Sequence, residues 1–230
     1  ADRVRALGDP FLHQPRPPAP APAPAFRRIE FFGRRETRKG FELFIDTLIH
    51  LKQVMKSPGL DSIEEIVFLG KEGAQFYNSA QEGAAHLQAE IGIPVRVLDD
   101  LDTFAAQRYL AEHVTDTLVV TPSLSEVFGF VVVETSLIPG LNALYAKVGG
   151  IPEVVQASGA HQLFEPYMRP FARKLDEWLA HGPRPDSELG HYDWQAANQR
   201  WLDFHAEVCA QAQAMQAAPP RVFPASRAKS

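Results

Sequence analysis

Cysteine is almost absent from this chain, and long hydrophobic runs are missing as well. Cys209 is the single cysteine among 230 residues, so no internal disulfide can form, which is typical of a reducing compartment. No apolar run approaches the roughly 20 residues that a membrane-spanning helix needs, and the first residues do not have the pattern of a secretory signal. We therefore expect a cytoplasmic protein without a transmembrane segment.

The chain also lacks an excess of positive charge and a set of clustered metal ligands. Its net charge is -5 and its pI is near 5.9. No basic stripe with interleaved aromatic residues occurs, so we expect no nucleic-acid partner. The eight histidines are scattered, and none is paired with cysteine or another histidine at the spacing of metal ligands. We expect no bound metal.

Proline and alanine dominate residues 14–25, QPRPPAPAPAPA. Alternating prolines favour an extended polyproline II segment without a packed core, so we interpret residues 1–25 as a linker or tail. A linker at this place predicts that the chain is a fragment of a larger protein; a natural disordered tail is the alternative. We expect residues 26–215 to form the folded domain and residues 216–230 to form a flexible tail.

Predicted strands and helices alternate along the domain. The strand signals are short apolar runs at 28–33, 65–70, 94–98, 118–121, 142–147 and 162–164. The helix signals lie at 41–55, 74–91, 103–114 (with Asp102 as N-cap), 128–137, from 152 onward, 167–179 and 193–214. This order predicts an α/β fold: a doubly wound parallel sheet of about six strands flanked by helices, with further helices at the C-terminal end.

The segment 122–155, PSLSEVFGFVVVETSLIPGLNALYAKVGGIPEVV, carries the strongest functional signal. It follows a buried strand and places Glu126 and Glu134 eight positions apart, around the turn Phe128-Gly129-Phe130. A glycine turn at a helix start presents free backbone N–H groups to an anion, and carboxylates accept hydrogen bonds from sugar hydroxyls. Donors for an anion beside acceptors for hydroxyls suit a nucleotide sugar.

This segment resembles the E-x7-E region of retaining glycosyltransferases with the GT-B architecture, the group that includes bacterial enzymes of polysaccharide assembly. A second similarity is the family's G-R…K-G loop after the first strand, which is matched at Gly33, Arg34, Lys39 and Gly40. A third is the turn Gly149-Gly150-Ile151-Pro152-Glu153, which is similar to the family's G-G-x-P-E turn. The resemblance covers roughly residues 28–156 and implies a Rossmann-like domain that is one half of a GT-B fold.

The resemblance implies roles for three residues at the reacting end of the donor. Arg34 and Lys39 would hold the donor diphosphate and offset the charge of the leaving group, so that no metal is needed. Glu126 would contact the donor sugar near the reacting carbon. The alternative for the two cations is a solvated basic loop.

The remaining donor-binding residues are also implied by the resemblance. Glu134 would accept hydrogen bonds from the ribose hydroxyls, and the backbone around Phe128, Gly129 and Phe130 would bind phosphate. Gly33 belongs to the same set, and Ser125 and Ser123 are weaker members. An exposed helix glutamate is the alternative for Glu134, but Val131, Val132 and Val133 beside it predict a buried turn.

The segment departs from the family pattern before the fifth strand. The stretch Ile138-Pro139-Gly140-Leu141-Asn142 has one extra residue, and Asn142 stands where the family has proline. Lys147 stands where an acidic or polar residue is common. These differences concern the donor-sugar preference rather than the fold.

We therefore expect the donor-binding, C-terminal domain of a retaining, metal-independent hexosyltransferase. Its donor would be a UDP- or GDP-linked sugar, with no further cofactor, and its acceptor a glycan or lipid-linked molecule. The missing N-terminal half would supply acceptor residues, so the isolated domain should be inactive. The parent protein would attach the domain at most peripherally to the inner membrane. One alternative is a non-catalytic scaffolding or regulatory module; another, a phosphorylase, is disfavoured because no lysine motif for a pyridoxal cofactor stands out.

Overall fold

The computed structural model describes residues 21–155, 159–184 and 194–217. The chain divides into two compact units. One unit spans residues 13–192 and contains the sheet; the other includes residues 193–230, of which the structure describes the helix Trp194–Ala217. Most of the predicted linker and tail lie outside the described residues, so those boundaries stay predictions. At the start of the described part, the Ala23 amide donates to the Thr115 carbonyl at 2.9 Å.

Six parallel strands form one sheet with the order β3-β2-β1-β4-β5-β6. The strands are β1 (Arg28–Phe32), β2 (Glu65–Leu69), β3 (Val95–Leu98), β4 (Thr117–Thr121), β5 (Asn142–Ala146) and β6 (Leu163–Phe164). The strands β2 and β3 are added on one side of β1, and β4, β5 and β6 follow on its other side. Every predicted strand is present, which confirms the predicted doubly wound sheet.

The strands were predictable because parallel strands covered on both faces are continuous apolar runs. All five residues of β4 are buried, as are all five of β5. Because consecutive side chains point to opposite faces, such a run needs helices on both sides. The helices provide that cover.

Seven α-helices belong to the described residues. They are α1 (Phe41–His50), α2 (Ala80–Ile91), α3 (Thr103–Glu112), α4 (Phe130–Ser136), α5 (Ile151–Val155), α6 (Met168–His181) and α7 (Trp194–Ala217). A π-helical turn, Leu51–Met55, extends α1 to the predicted end. The Asp102 carboxylate caps α3 as predicted, since it accepts from the Ala105 amide at 2.7 Å.

The start of α2 differs from the prediction. The predicted helix began at residue 74, whereas residues 71–79 form a loop and the helix begins at Ala80. The Ser79 hydroxyl caps it by accepting from the Glu82 amide at 3.1 Å, and the Glu82 carboxylate accepts from the Asn78 amide at 2.9 Å. This arrangement is close to a capping box, and it fixes the helix start at serine. The start of α4 also differs: the prediction was residue 128, whereas the helix begins at Phe130, because Gly129 before it has a left-handed φ of +90°.

The main core lies between one face of the sheet and helices α1, α2 and α6. Four aromatic rings meet there edge to face, with centroids 4.8–6.1 Å apart: Phe31, Phe41, Phe44 and Phe68. Trp178 of α6 is fully buried in the same cluster. The other face carries α3 and α4, shown by contacts of Tyr109 with Arg96 and of Thr135 with Tyr145.

Candidate functional site

The sheet order creates a crevice at the carboxyl ends of β1 and β4. Connections leave these two neighbouring strands toward opposite faces of the sheet, and ligands of open α/β sheets bind at such a switch point. The loop after β1 and the loop after β4 meet there, although Arg38 and Ser125, one in each loop, are 87 positions apart. A hydrogen bond joins them directly, because the Leu124 amide donates to the Arg38 carbonyl at 2.9 Å.

Gly40 allows the two loops to approach. Its φ is +75°, and a Cβ at this position would lie 1.9 Å from the Pro122 carbonyl oxygen. Only glycine fits both the left-handed backbone and this contact. The glycine of the K-G pair therefore brings the preceding lysine against the loop after β4.

Lys39 and Glu126 form an ion pair across the crevice. The Ser123 hydroxyl donates to the same carboxylate oxygen, Oε1, at 2.8 Å. The Lys39 side chain is 20% exposed and that of Glu126 is 8% exposed, so the pair is shielded from solvent screening. The structure thus brings together two of the three predicted catalytic residues.

Gly149 and Gly150 pack closely against the backbone of the loop that carries Glu126. Gly149 has a φ of +51°, and a Cβ there would lie 1.7 Å from the Glu126 carbonyl oxygen. The Gly150 amide donates to the Val127 carbonyl at 3.1 Å. The G-G-x-P-E turn therefore fixes the backbone that carries Glu126.

A cleft of about 690 Å³ opens beside this pair. Its walls include Gly33, Arg34 and Lys39 from the loop after β1, and Phe130 and Glu134 from α4. Five of the predicted site residues thus surround one cavity.

The other walls of the cleft come from loops that sequence reasoning did not select. Gly70 and Lys71 follow β2, and Leu101, Asp102 and Thr103 follow β3. Each group lies at or shortly after the carboxyl end of a predicted strand, which is the signal that could have identified them.

Glu134 lies in a mostly buried position in the cleft. Burial raises the pKa of its carboxyl group to about 7, against the opposing attraction of Lys39. A carboxylate here needs hydrogen-bond donors when it is ionised. The cleft side of Glu134 is therefore a place for a ligand that brings such donors.

Arg34 projects into the cleft from an exposed loop. Its side chain is 67% exposed, and Nη1 donates to the Glu36 carboxylate at 3.0 Å. Arg38 donates to the other Glu36 oxygen at 3.2 Å. The Arg34 hydrogen bond is the main cause that lowers the pKa of Glu36, with Arg38 adding to it. Arg34 is thus free to turn toward an anion, at the loss of one exposed ion pair.

The remaining predicted residues line the turn between Glu126 and α4. The Ser125 carbonyl accepts from Arg38 at 3.4 Å, and the rings of Phe128 and Phe130 lie 5.1 Å apart. Gly129 caps α4, and a Cβ there would lie 2.8 Å from Ile151 Cγ1. Gly129 therefore holds the turn against α5.

Asn142, the departure from the family pattern, has a structural role. It is fully buried, and its Oδ1 accepts from the Arg184 amide at 2.8 Å while Nδ2 donates to the Gly140 carbonyl at 3.2 Å. These bonds tie the start of β5 to the segment after α6. Lys147, the second departure, pairs with Glu165 at 3.3 Å on the surface.

The sequence profile of the family described as glycosyl transferases group 1 matches residues 23–188. The chain therefore belongs to that family. The match covers the whole sheet and the cleft. The fold is that of one half of a GT-B architecture, and the half is the C-terminal, donor-binding one.

Solved structures share this fold. Sucrose-phosphate synthase from Thermosynechococcus elongatus aligns with a TM-score of 0.59 and 20% identity, over 81% of this chain and 46% of the other. The HepE protein of Anabaena, crystallised with UDP and glucose, aligns with a TM-score of 0.58 and 20% identity, over 80% and 49%. An α,α-trehalose-phosphate synthase (UDP-forming) from Burkholderia vietnamiensis aligns with a TM-score of 0.61 and 12% identity, over 78% and 43%.

This chain spans less than half the length of each of those structures. A comparison with curated proteins gave no match. Within the described ranges, no helix is long and apolar enough to cross a membrane.

Proposed function

We propose that this chain is the donor half of a retaining glycosyltransferase that moves a hexosyl group from a UDP- or GDP-linked sugar to a glycan or lipid-linked acceptor. The observation that carries the proposal is the cleft at the β1/β4 switch point: Arg34, Lys39 and Glu134 line it, and Glu126 pairs with Lys39 beside it. The charges in this cleft are of both signs and are placed on separate walls. Such a site suits a ligand with a diphosphate at one end and hydroxyl groups at the other.

The two cations are assigned to the diphosphate. Arg34 can grip phosphate oxygens with a planar fork, and Lys39 is a point charge with three donors. When the bond between the sugar C1 and the phosphate oxygen breaks, negative charge grows on the departing diphosphate. Fixed positive groups in a partly dry site stabilise that charge without a metal ion.

The two glutamates are assigned to hydroxyl groups. Glu134 lies in the cleft and is assigned to the ribose. Glu126 is held by Lys39 and Ser123 and is assigned to the donor sugar, next to the bond that breaks. The walls at Lys71 and at 101–103 are then available to the base.

The residues that hold the reacting end of the acceptor are assigned to a second half of the parent protein. A GT-B active site lies between two halves, and this chain has the length of one. The isolated chain should therefore bind donor without transferring sugar. A glucosyl donor is supported by the HepE protein, whose structure was also determined with UDP-glucose.

Calorimetry tests this proposal. We expect one of UDP, GDP and ADP, and the corresponding sugar nucleotide, to bind the 230-residue chain with a Kd in the range of about 10 μM to 1 mM. Binding should be the same with added magnesium and with a chelator. No binding by any of the three nucleotides would contradict the donor-site assignment, and binding only with magnesium would contradict the metal-free one.

A further inference from the structure

A second cavity lies on the opposite side of the loop after β1. Its volume is about 900 Å³, larger than the cleft. Glu42 and Asp46 of α1 form one wall, and residues 74–77 of the loop after β2 form another. We name this cavity the α1 pocket. Arg38 lines both the α1 pocket and the cleft, so the two cavities adjoin.

The α1 pocket contains hydrogen-bond acceptors that lack donors. Glu42 Oε1 accepts from the Thr37 hydroxyl at 2.8 Å and from the Phe76 amide at 2.6 Å. Glu42 Oε2 and Gln75 Oε1 have no hydrogen-bond partner and are shielded from solvent. A polar atom in that state destabilises the protein until a donor reaches it. Both groups end in a broad sp³–sp² torsion, so a small rotation turns either acceptor toward a ligand.

An exposed aromatic ring stands beside these acceptors. Phe76 is 84% exposed, although its backbone is held by the bond to Glu42. The Tyr77 ring contacts it edge to face, with centroids 5.8 Å apart, and packs in turn against Phe41 of the core. The Phe76 ring is therefore held on a supported backbone and is largely open. It offers an apolar surface at the rim of the α1 pocket, beside the acceptors of Glu42 and Gln75.

The charges around the α1 pocket are mixed. Glu36 is already paired with Arg34 and Arg38. Glu42 accepts from the neutral donors of Thr37 and Phe76, and burial raises the pKa of Asp46 while His86 acts against that rise. Arg38 adds hydrogen-bond donors to the rim. A cationic ligand would meet Arg38, but a hydroxyl group can donate to Glu42 and accept from Arg38. Acceptors, donors and an open ring together fit a sugar.

We propose that the α1 pocket binds an uncharged sugar unit of a glycan. The unit would lay its apolar face on Phe76 and donate hydroxyl hydrogen bonds to Glu42 and Gln75. Because Arg38 separates the pocket from the cleft, this sugar would belong to the acceptor chain. The assignment to the acceptor rests on the proposed function; the binding of a sugar does not.

An NMR titration of the 230-residue chain tests the proposal. Maltotriose, cellotriose and mannotriose are added separately to about 20 mM, a range that detects millimolar binding, and spermidine serves as the cationic probe. At least one trisaccharide should shift the amide signals of residues 74–77 and of Glu42, without nucleotide present. No shift with any trisaccharide, or shifts at these residues with spermidine alone, overturns the proposal.

Substitutions of exposed aromatic residues test whether the trisaccharide binds at Phe76. Phe76→Ala should weaken the trisaccharide about 5- to 10-fold, the loss that one aromatic contact predicts, and Phe76→Trp should restore it. Tyr167→Ala, which removes an exposed ring next to β6, is the matched control and should leave the affinity unchanged. Equal affinity of Phe76→Ala and the parent chain would overturn the proposal.

A nucleotide titration on the same samples separates the two proposals. Trisaccharide binding without nucleotide binding would reject the proposed function and keep the sugar site. Nucleotide binding without trisaccharide binding would reject the sugar site in the α1 pocket and keep the proposed function.

Discussion

Two glutamates of the same motif have different surroundings in this structure. Glu126 is held by a lysine and a serine on a loop, while Glu134 stands on a helix, mostly buried, and faces the cleft. Sequence reasoning found both residues from their spacing. It placed Lys39 and Glu126 at the same end of the donor, but it did not predict that the two side chains form a direct ion pair.

The two glutamates should affect different parts of the donor. Glu134→Ala should weaken free UDP, or whichever nucleotide binds best, as much as the sugar nucleotide. The loss of one charge-assisted hydrogen bond suggests about 10- to 100-fold. Glu126→Gln should weaken the intact donor but not the free nucleotide, because its assigned contact is with the sugar and loss of its charge leaves Lys39 available to the diphosphate.

Calorimetry with both ligands on both variants measures this difference. Circular dichroism first has to show that each variant folds, since Glu134 also packs within α4. Equal losses of free-nucleotide affinity from the two substitutions would refute this division of roles.

Nucleotide affinity should also depend on pH through Glu134. Burial raises the pKa of Glu134 to about 7, and only the ionised form accepts from both ribose hydroxyls. Affinity should therefore rise from pH 6 to pH 8 by about 10-fold, the change in the ionised fraction of a group with this pKa. Glu134→Gln should abolish that part of the rise, while any titration of the ligand phosphate remains. A rise of the same size in Glu134→Gln would show that Glu134 is not the titrating group.

At the scale of elements, strands were easier to predict than loops. The buried strands are apolar on both faces, so their runs stand out in any window. Residues 74–79 of the loop after β2 were predicted as helix because the stretch 74–91 is rich in alanine, yet the Ser79 and Glu82 cap sets the helix start at Ala80. Loops after β2 and β3 were missed as cleft walls because no motif marks them.

The glycine turn at 149–150 should control the Glu126 loop. In Gly149→Ala the new methyl group would meet the Glu126 carbonyl at 1.7 Å, so the loop has to move. Gly92→Ala is a matched control, because Gly92 also has a positive φ, +75°, but nothing within 4 Å of the added Cβ. The control should lose about 1 kcal/mol from backbone strain alone.

Chemical denaturation and donor calorimetry check this prediction. Gly149→Ala should lose more stability than Gly92→Ala, and it alone should weaken the intact donor. Equal stability losses in the two variants would mean that the contact with Glu126 has no energetic weight.

At the scale of the whole molecule, the chain has the fold of one half of a GT-B architecture. The alternation of strands and helices was enough to predict a doubly wound sheet. The strand order was not readable from pattern alone, because it depends on pairing between segments far apart in the chain. The order decides the site: it makes β1 and β4 neighbours and so brings Lys39 to Glu126.

A buried acid in the central strand should make global stability fall with rising pH. Glu30 is fully buried in β1 between Val67 and Val119, with no hydrogen-bond partner for either oxygen. Burial raises its pKa to about 8, with Arg28 the largest opposing influence. The unfolded chain releases this proton near pH 4.5, whereas the folded chain keeps it until about pH 8. Between these values the folded state binds more protons, so higher pH favours unfolding.

The expected slope is about 1.4 kcal/mol of unfolding free energy per pH unit for one such group. The part of the unfolding free energy that depends on Glu30 should be greatest below pH 4.5, fall between pH 4.5 and about 8, and stay constant above that. Glu30→Gln keeps the shape and neutrality of the protonated acid and removes the titration. Urea denaturation from pH 5 to pH 9 should therefore give a flatter profile for Glu30→Gln, with the variant gaining on the parent chain as pH rises. Parallel profiles for the two proteins would show that Glu30 ionises in the folded state as easily as in the unfolded one, despite its burial.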